Sequence, residues 1–238
     1  MSSAPVLEAI SVDVCYGRAA VLRAASLSVR AGEVLAVLGP TGAGKTTLFR
    51  AMVGERVPSR GQVRLQGRDV TREPLWKRAR AGLGYVPQTP SVLVDLTVRG
   101  NLETFERVVG GPSKGAEHWA GLVGLSHRMG LAARELSGGE RRLLELARAL
   151  IGRPKVIVCD EPFSGIDPLG ARQVAGLLKR EAGRGLAIVL ADHHATLALD
   201  LCDRAVLLLD GEVRRQGTPH ELAEDSVVRE RYLGHTAG

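Results

Sequence analysis

The chain has 238 residues, which suffices for one large domain or for a domain that carries a small insertion. Hydrophobic residues make up 45% and charged residues 24%, as in an ordinary globular protein, and no apolar run approaches the roughly 20 residues that span a bilayer. The formal charge of +6 suits phosphate ligands, anionic membranes and nucleic acid alike, but the basic residues are scattered without interleaved aromatics, so no nucleic-acid partner is expected.

The beginning of the chain and its cysteines indicate a cytoplasmic protein. Residues 1–5 have neither the basic segment nor the apolar stretch of a secretory signal. The cysteines, Cys15, Cys159 and Cys202, are odd in number and lack metal-ligand spacing. We therefore expect reduced, mostly buried thiols.

Short aliphatic and β-branched runs predict strands at 6–14, 26–29, 34–38, 63–65, 156–160, 186–191 and 205–209. The runs that begin at 34, 156, 186 and 205 are almost continuously apolar, as in strands buried on both faces of a parallel sheet. The earlier pieces, up to about residue 70, are separated by Gly32 and Gly61, which indicates an antiparallel layer beside the main sheet. Because helical patterns separate the later runs, we predict an α/β fold with ligands at the carboxyl ends of the strands.

From about Thr89 to Pro154 the strand signal disappears, and the composition is helical with glycine-rich joints. Within this stretch, Arg141–Ile151 places its aliphatic side chains on one side of a helix. We predict a single domain in which residues 89–154 form a helical insertion. Residues 1–88 and 155–238 would form the core and its antiparallel β subdomain.

Two local signals mark the later part of the chain. Asp210-Gly211 lies between two strand-like pieces and is a strong signal for a two-residue hairpin. Thr218–Glu221 has the spacing of a capping box, with Pro219 at the first helical position, so a helix is predicted to begin there.

The segment Gly39–Thr46, the phosphate loop, has the pattern GxxxxGK[ST] between an apolar strand and a helix-like stretch. Its glycines let backbone N–H groups surround a β-phosphate, and the amino terminus of the helix adds positive potential. Lys45 would bridge the β- and γ-phosphates, and the Thr46 hydroxyl would ligate Mg²⁺. The pattern predicts that the protein binds and hydrolyses Mg-ATP.

Two acids, Asp160 and Glu161, end the buried run that starts at residue 156. In a doubly wound sheet this strand end faces the nucleotide. Asp160 would then hold Mg²⁺ through its water shell, and Glu161 would polarise the attacking water, a role worth about 10²–10⁴ in rate. Acids also end many strands for no catalytic reason, but a phosphate loop in the same chain favours the catalytic interpretation.

The segment Leu136–Glu140 (LSGGE), the signature segment, predicts a second helix terminus that suits an anion. Ser137 and Glu140 have capping-box spacing, and Gly138 and Gly139 permit a close approach to the backbone. An ordinary capped helix is the alternative. The phosphates of one ATP molecule need only one such anion-binding site, and the phosphate loop already provides it. The second site therefore indicates a further role for the signature segment in the mechanism.

In type and order these motifs resemble those of the ABC ATPases, the nucleotide-binding subunits of ABC transporters. The resemblance covers nearly the whole chain and rests on Tyr16, Gly39–Thr47, Gln88, Leu136–Glu140, Val156–Glu161, Ser164–Asp167 and His193. LSGGE is highly specific to the family when a phosphate loop lies upstream and an Asp-Glu pair downstream. The resemblance implies the ABC form of the P-loop NTPase fold, with a RecA-like, mainly parallel core, an antiparallel β layer and a helical insertion.

The resemblance also implies a homodimer that forms head to tail on ATP. Ser137, Gly138 and Gly139 of one subunit would then act in trans on the γ-phosphate held by the other. Asp167 would connect the two sites across the interface.

Further site residues are implied by the same resemblance. Tyr16 would stack on adenine, Gln88 would sense Mg²⁺ and the nucleotide water, and His193 would contact the γ-phosphate. His194 follows directly, but the Ala-Asp-His register favours His193.

Together, the residues and the resemblance assign three sets. The catalytic residues are Lys45, Gln88, Glu161 and His193. The Mg²⁺ ligands are Thr46, Gln88 and Asp160. The nucleotide-binding residues are Tyr16, Gly39, Pro40, Thr41, Gly42, Ala43, Gly44, Lys45, Thr46, Thr47, Ser137, Gly138, Gly139 and Asp167.

More specifically, the chain is similar to the ATPase of the lipopolysaccharide-export system, in residues 136–142, 160–168, 191–193 and 217–234. Branched-chain amino-acid uptake ATPases share the Tyr-Leu-Gly ending but match less around the signature segment. Residues 89–95, where such subunits receive a coupling helix, match the export family only loosely. The resemblance implies transmembrane permease partners and a peripheral position on the cytoplasmic face of the inner or plasma membrane.

Two other classes of protein fit less well. A cytosolic ABC clamp acting on nucleic acid or ribosomes would carry coiled-coil heptads or two fused ATPase halves, and neither pattern is present in the sequence. A regulatory nucleotide-binding module with little hydrolysis is disfavoured by the presence of both Glu161 and His193.

Overall fold

A computed structural model describes residues 4–110, 113–193 and 195–225. The strands are β1 (Pro5–Tyr16), β2 (Ala19–Arg30), β3 (Val34–Leu38), β4 (Arg60–Leu65), β5 (Arg68–Asp69), β6 (Leu83–Val86), β7 (Val156–Asp160), β8 (Ala187–Ala191), β9 (Arg204–Leu209) and β10 (Glu212–Gly217). The α-helices are α1 (Lys45–Val53), α2 (Leu75–Arg80), α3 (Val98–Val109), α4 (Ala116–Leu122), α5 (Gly138–Ile151), α6 (Pro168–Gly183), α7 (Ala195–Leu201) and α8 (Pro219–Glu224).

The larger sheet in the described residues has six strands in the order β10-β9-β3-β8-β7-β6. Strands β3, β6, β7, β8 and β9 run parallel, and β10 pairs antiparallel with β9. Every residue of β3, β7 and β8 is buried, which is why these runs are apolar without alternation. The predicted α/β fold with a mainly parallel core is confirmed.

The second sheet has the order β2-β1-β4-β5 and is antiparallel throughout the described residues. Its inward side chains, among them Leu7 and Leu22, share a core with α1 and with one face of the larger sheet. The predicted antiparallel layer is therefore confirmed. Its strands extend further than the predicted runs because alanines such as Ala19 and Ala20 give little hydrophobic contrast.

Strand β6 and helix α2 are absent from the sequence prediction. Strand β6 is a four-residue edge strand that contains Gly84, so its apolar run is too short to predict a strand from the sequence. Its carboxyl end leads directly to Gln88.

Between β6 and β7 the described residues form helices and short 3-10 turns, and the β-type pairing described there is an isolated bridge between Thr97 and Ala132. Helix α5 packs against α3 and α4 and also against β6 and α6. We propose residues 89–154 as a helical subdomain that α5 anchors to the core. None of the helices in the described ranges has the length and apolar character that a transmembrane span requires.

The two local signals near the end of the described chain are confirmed. Asp210 and Gly211 both have positive φ, 51° and 80°, as a two-residue hairpin of the mirror-image type requires. Thr218 and Glu221 exchange the hydrogen bonds of a capping box at the start of α8. His194 and residues 226–234, which entered the sequence argument, lie outside the described residues.

The three cysteines are free thiols, as predicted. Cys159 and Cys202 are buried, and burial raises the pKa of each to about 12. Both thiols are therefore protonated and unreactive at neutral pH.

Arg78 is fully buried and closes the carboxyl end of α1, the helix that follows the phosphate loop. Its Nη1 donates hydrogen bonds to the carbonyl oxygens of Ala51 (2.8 Å) and Met52 (2.7 Å). Its Nε donates to the carbonyl of Glu73 (2.8 Å). Burial lowers the pKa of Arg78 to about 10, which still leaves the guanidinium charged at neutral pH.

We expect Arg78→Met to lower the free energy of unfolding by about 3 kcal/mol, because several buried carbonyl groups lose their donor. Urea denaturation followed by circular dichroism measures the change. Lys77→Met, at an exposed position in the same helix, is the control and should stay within about 0.5 kcal/mol of the wild type. Equal stability of the two variants would refute the capping role.

Candidate active site

The phosphate loop is shaped by glycines that no other residue could replace without strain. A Cβ at Gly39, where φ is +150°, would lie 2.3 Å from the carbonyl oxygen of Leu208. A Cβ at Gly44, where φ is +105°, would lie 2.9 Å from the Leu22 side chain. Gly44 is also the N-cap of α1, and no side chain caps this terminus, so the first amides of the helix remain available to a ligand.

Lys45 curls back over the phosphate loop. Its Nζ donates hydrogen bonds to the carbonyl oxygens of Gly39 (2.6 Å) and Pro40 (3.0 Å). Burial lowers the pKa of Lys45, and the nearby carboxylates of Glu161 and Asp160 oppose that shift. The ammonium therefore lies between the loop and the acids that end β7.

The phosphate loop borders a cavity of about 530 Å³, a size typical of small-molecule sites. The cavity is lined by Val21, Gly39, Pro40, Thr41, Gly42, Gly44, Lys45, Thr46, Thr47, Gln88, Glu161 and His193. The fold thus brings Gln88, Glu161 and His193 to the phosphate loop from three distant parts of the chain.

Strand register explains how the acids and the histidine meet. Strands β7 and β8 are parallel neighbours, and Asp160 pairs with Ala191, so the residues that follow each strand emerge side by side. His193 Nδ1 lies 3.5 Å from Glu161 Oε2 and 3.7 Å from Asp192 Oδ1. The side chains of Glu161 and His193 are therefore close enough to contact the same group of a bound substrate.

Glu161 has a strained backbone. Its φ is +50°, a region that non-glycine residues rarely occupy. A hydrogen bond from the Glu161 amide to the carbonyl of Ala191, at 2.7 Å, helps to hold this strained conformation. This conformation turns the chain sharply at the end of β7 and aims the carboxylate into the cavity.

Asp160 is almost completely buried, and within the described chain its Oδ2 has no hydrogen-bond partner. Burial raises its pKa, whereas a hydrogen bond with the Thr46 side chain and the charge of Lys45 oppose that rise. A buried carboxylate oxygen without a donor, beside a hydroxyl, is a donor set that suits a hard cation such as Mg²⁺. No group of three or more acidic, histidine or cysteine side chains that could by itself hold a metal ion occurs in the described residues. The Asp160 carboxylate and the Thr46 hydroxyl fit Mg²⁺, which typically takes one or two protein ligands and completes its shell with phosphate and water.

The signature segment begins α5 with the predicted capping box. Glu140 N donates to Ser137 Oγ (3.2 Å), and Ser137 N donates to Glu140 Oε2 (2.9 Å). A Cβ at Gly138 would lie 2.9 Å from the carbonyl oxygen of Gly165, and one at Gly139 would lie 3.0 Å from Gly170 Cα. The small residues therefore let α5 pack closely against the start of α6.

Asp167 lies in this same cluster, as the N-cap of α6. Its Oδ1 accepts hydrogen bonds from the amides of Leu169 (2.9 Å) and Gly170 (3.0 Å). Because Gly170 contacts Gly139, Asp167 fixes the helix start that packs against the signature segment. None of these residues lines the cavity beside the phosphate loop of the same described chain.

Comparison with known proteins decides the family. The family model described as "ABC transporter" matches residues 22–164, more than half of the chain. The chain is 42% identical to the lipopolysaccharide export system ATP-binding protein LptB of Acidithiobacillus ferridurans, over 96% of this chain and 97% of that protein. The chain belongs to the ABC transporter family. Within that family it is an ATP-binding subunit, and the predicted ATPase activity is confirmed.

Solved ABC structures resemble this ABC ATPase over nearly its whole length. The ADP conformation of MJ1267, an ATP-binding cassette of an ABC transporter, superposes with a TM-score of 0.87 at 26% identity, covering 98% of this chain and 100% of that one. A dimeric, post-hydrolysis state of the cassette MJ0796, bound to ADP and Pi, has a TM-score of 0.77 at 25% identity, covering 90% and 98%.

Besides Ser137–Gly139 and Asp167, three predicted site residues of the ABC ATPase do not line the cavity: Tyr16, Ala43 and the predicted Mg²⁺ ligand Asp160. Ala43, which is part of the loop, and Asp160 are both buried. Tyr16 is 42% exposed, and the Arg56 guanidinium lies 4.6 Å from its ring centroid. Its stacking role stays a prediction.

The sequence argument did not identify three residues that shape the site. Val21 lines the cavity, and buried Asp192 accepts a hydrogen bond from Phe163 N at 2.8 Å. Arg142, on α5, donates to the carbonyl oxygens of Pro87 (3.0 Å) and Glu161 (3.3 Å). Arg142 therefore ties the residue before Gln88 to the predicted catalytic acid.

Proposed function

We propose that this ABC ATPase hydrolyses Mg-ATP as a head-to-tail homodimer and powers the membrane subunits of a lipopolysaccharide or lipid exporter. The observation that carries the proposal is the separation of two anion-binding elements in one chain. The phosphate loop borders the cavity, whereas Ser137–Gly139 pack against residues 165–170 and do not line it. A second copy would supply the missing donors.

At the phosphate loop, phosphate oxygens of the ligand would replace protein carbonyl oxygens as the hydrogen-bond acceptors of Lys45. The Lys45 ammonium donates to the carbonyl oxygens of Gly39 and Pro40, and phosphate oxygens would accept these hydrogen bonds when ATP binds. The hydrogen bonds become stronger because the new acceptor is charged. The open amides at the start of α1 would add further donors.

We assign proton handling to Glu161. Its carboxylate lines the cavity, and it would accept a proton from the attacking water as that water bonds to the γ-phosphorus. His193 lies 3.5 Å from Glu161 and would donate to a γ-phosphate oxygen. Gln88, which also lines the cavity, would orient the water and report the state of the site to the membrane partner.

Thr46, Gln88 and Asp160 would hold Mg²⁺, which neutralises charge on the β- and γ-phosphate oxygens when it is bound. The partnerless Oδ2 of Asp160 supports this assignment, since a buried carboxylate oxygen needs a cation or a donor. Tyr16 would receive adenine on one ring face, with Arg56 on the other.

Across the dimer, Ser137, Gly138 and Gly139 would cap the γ-phosphate with the first amides of α5. The amino terminus of that helix carries partial positive charge, so it favours an anion. Asp167 would link the two sites, because it fixes the start of α6 against Gly139. Loss of the γ-phosphate would remove these contacts and open the dimer.

For the membrane partner we propose an apolar groove between α2, β6, α3 and α5, here called the docking groove. Its volume is about 680 Å³, and its walls include Leu75, Trp76, Tyr85, Phe105 and Val108. Trp76 is 55% exposed and Val108 is 73% exposed, which is unusual for large apolar side chains. Such a groove suits the apolar face of a helix presented by a partner.

The docking groove connects directly to the active site. Pro87 lines it, and Gln88 follows in the sequence and lines the cavity. Glu145 and Arg148 of α5 also line the groove, and Glu145 accepts a hydrogen bond from Arg142 at 2.7 Å. Movement of a docked helix would therefore reach Glu161 through Arg142.

We expect Val108→Asp to reduce recovery of membrane subunits with the tagged chain by about tenfold or more, because a carboxylate in the docking groove costs several kcal/mol on association. Affinity purification from native membranes and protein identification measure the recovery. Val57→Asp, at a 53% exposed position outside the groove, is the matched control. Both variants are checked by thermal melting, and undiminished recovery with Val108→Asp would place the partner elsewhere.

The same purification separates the alternatives. Export subunits among the co-purifying proteins support the lipopolysaccharide proposal, whereas the permeases of a branched-chain amino-acid or other importer would support the alternative. Recovery of nucleic acid or ribosomes without membrane subunits would indicate the remote alternative, a non-transport clamp. The export proposal places the protein at the cytoplasmic face of the inner or plasma membrane.

A further inference from the structure

A second cavity, of about 540 Å³, opens at the opposite end of the core sheet from the phosphate loop. We call it the basic pocket, after Lys114, His118, Arg153, Lys155 and Arg184, which line it. Lys155 immediately precedes β7, whereas Glu161 immediately follows that strand. At about 3.3 Å per residue, the two sites are roughly 15–20 Å apart.

The basic pocket concentrates positive charge from separate parts of the chain. Lys114 precedes α4, Arg153 and Lys155 lie in the turn between α5 and β7, and Arg184 caps the end of α6. Among the described lining residues the one acid is Glu181, which pairs with Arg184 at 2.6 Å. Four cations and one carboxylate leave a net charge of +3, with His118 not counted.

The floor of the basic pocket is apolar and fixed. Trp119 is 4% exposed, and its Nε1 donates a hydrogen bond to Glu106 Oε1 at 2.8 Å. The His118 ring meets the Trp119 ring edge-on at 4.9 Å, and Lys114 Nζ lies 5.5 Å from the Trp119 centroid. An apolar floor lowers the local dielectric, so cations at the rim attract an anion more strongly than they would in open solvent.

We propose that the basic pocket binds an anion that carries at least two phosphate groups. A single carboxylate or chloride would neutralise only one of the excess positive charges. A diphosphate matches a net charge of +3, and arginine forks combined with lysine point charges are suited to phosphate oxygens. This site is separate from the ATP site and is independent of the proposed function.

The two tryptophans of the chain allow a direct test with inorganic pyrophosphate as the probe. In Trp76→Phe, Trp119 remains as the only tryptophan and reports the basic pocket. One equivalent of ADP fills the phosphate loop before the titration, so that no excess of this diphosphate competes for the basic pocket. We expect a saturable change in Trp119 fluorescence that weakens as salt is added, because the attraction is screened.

Two paired variants test whether the basic pocket is the site at which pyrophosphate binds. In the same ADP-loaded protein, Lys114→Ala/Arg184→Ala should weaken pyrophosphate binding by about tenfold or more, whereas Lys179→Ala/Arg64→Ala, which removes equal charge outside the pocket, should not. Titration calorimetry measures both variants, since removal of Lys114 could itself alter the Trp119 signal. Equal affinities in the two variants, or no saturable binding by the wild type, would overturn the proposal.

Vesicles distinguish a lipid headgroup from a soluble molecule as the source of an anion with two phosphate groups. Flotation with phosphatidylcholine vesicles, with and without cardiolipin, tests a lipid headgroup. Cardiolipin-dependent flotation that is lost in Lys114→Ala/Arg184→Ala and kept in Lys179→Ala/Arg64→Ala would identify a lipid ligand. Pyrophosphate binding without such flotation would identify a soluble one, and both results support the site.

Discussion

Glu161→Gln should lower the ATPase rate by about 10²–10⁴-fold while leaving ATP binding intact. Glutamine has nearly the same shape but cannot take up a proton from the attacking water. The backbone hydrogen bond from Glu161 N to Ala191 does not depend on the side chain, so the strained turn should survive the substitution. Steady-state phosphate release and equilibrium binding of ATP measure the two properties separately.

The same substitution should stabilise the ATP-bound dimer, because the γ-phosphate that joins the subunits is no longer removed. Size-exclusion chromatography with Mg-ATP detects this species, which ADP should not produce. Glu103→Gln, at an exposed position on α3, is the control and should hydrolyse ATP at the wild-type rate. Wild-type turnover by Glu161→Gln would remove this residue from the role of general base.

The core strands were predictable because their burial is total. Strands β3 and β7 lie inside the sheet and are buried at every position, so β3 is apolar throughout and β7 is apolar up to Asp160, where the chain reaches the cavity. Strand β6 has a sheet neighbour on one side only and contains Gly84. Its four residues gain their structure from pairing with β7, which a local pattern does not encode.

The site was predictable where a function requires a particular residue type at a particular spacing. The phosphate loop meets that condition, since Gly39 and Gly44 leave no room for a Cβ. Arg142 does not meet it, because its acceptors include backbone carbonyl groups of Pro87 and Glu161, which any residue could supply. Asp192 likewise binds a backbone amide 29 positions away. Such contacts depend on the fold and leave no local motif.

A mixing experiment should show that the site is shared between two chains. Lys45→Ala removes the phosphate-loop cation, and Ser137→Arg places a long side chain where the γ-phosphate would approach the start of α5. Each variant alone should therefore lose about 10²-fold or more of the ATPase rate. In a heterodimer, one site combines both lesions, whereas the other pairs an intact phosphate loop with an intact Ser137. Equal mixing should therefore restore about a quarter of the wild-type rate, if the chains pair at random in a two-fold dimer.

The control replaces one partner so that no intact pairing can form. Lys45→Ala mixed with the double variant Lys45→Ala/Ser137→Arg lacks a working phosphate loop in every dimer and should stay inactive. Phosphate release is measured across mixing ratios, and recovery should peak at equal amounts because heterodimers are then most abundant. If each variant kept full activity alone, or if mixing restored none, Ser137 would not act across the interface. Recovery at equal mixing would make the start of α5 in one chain part of the ATP site of the other.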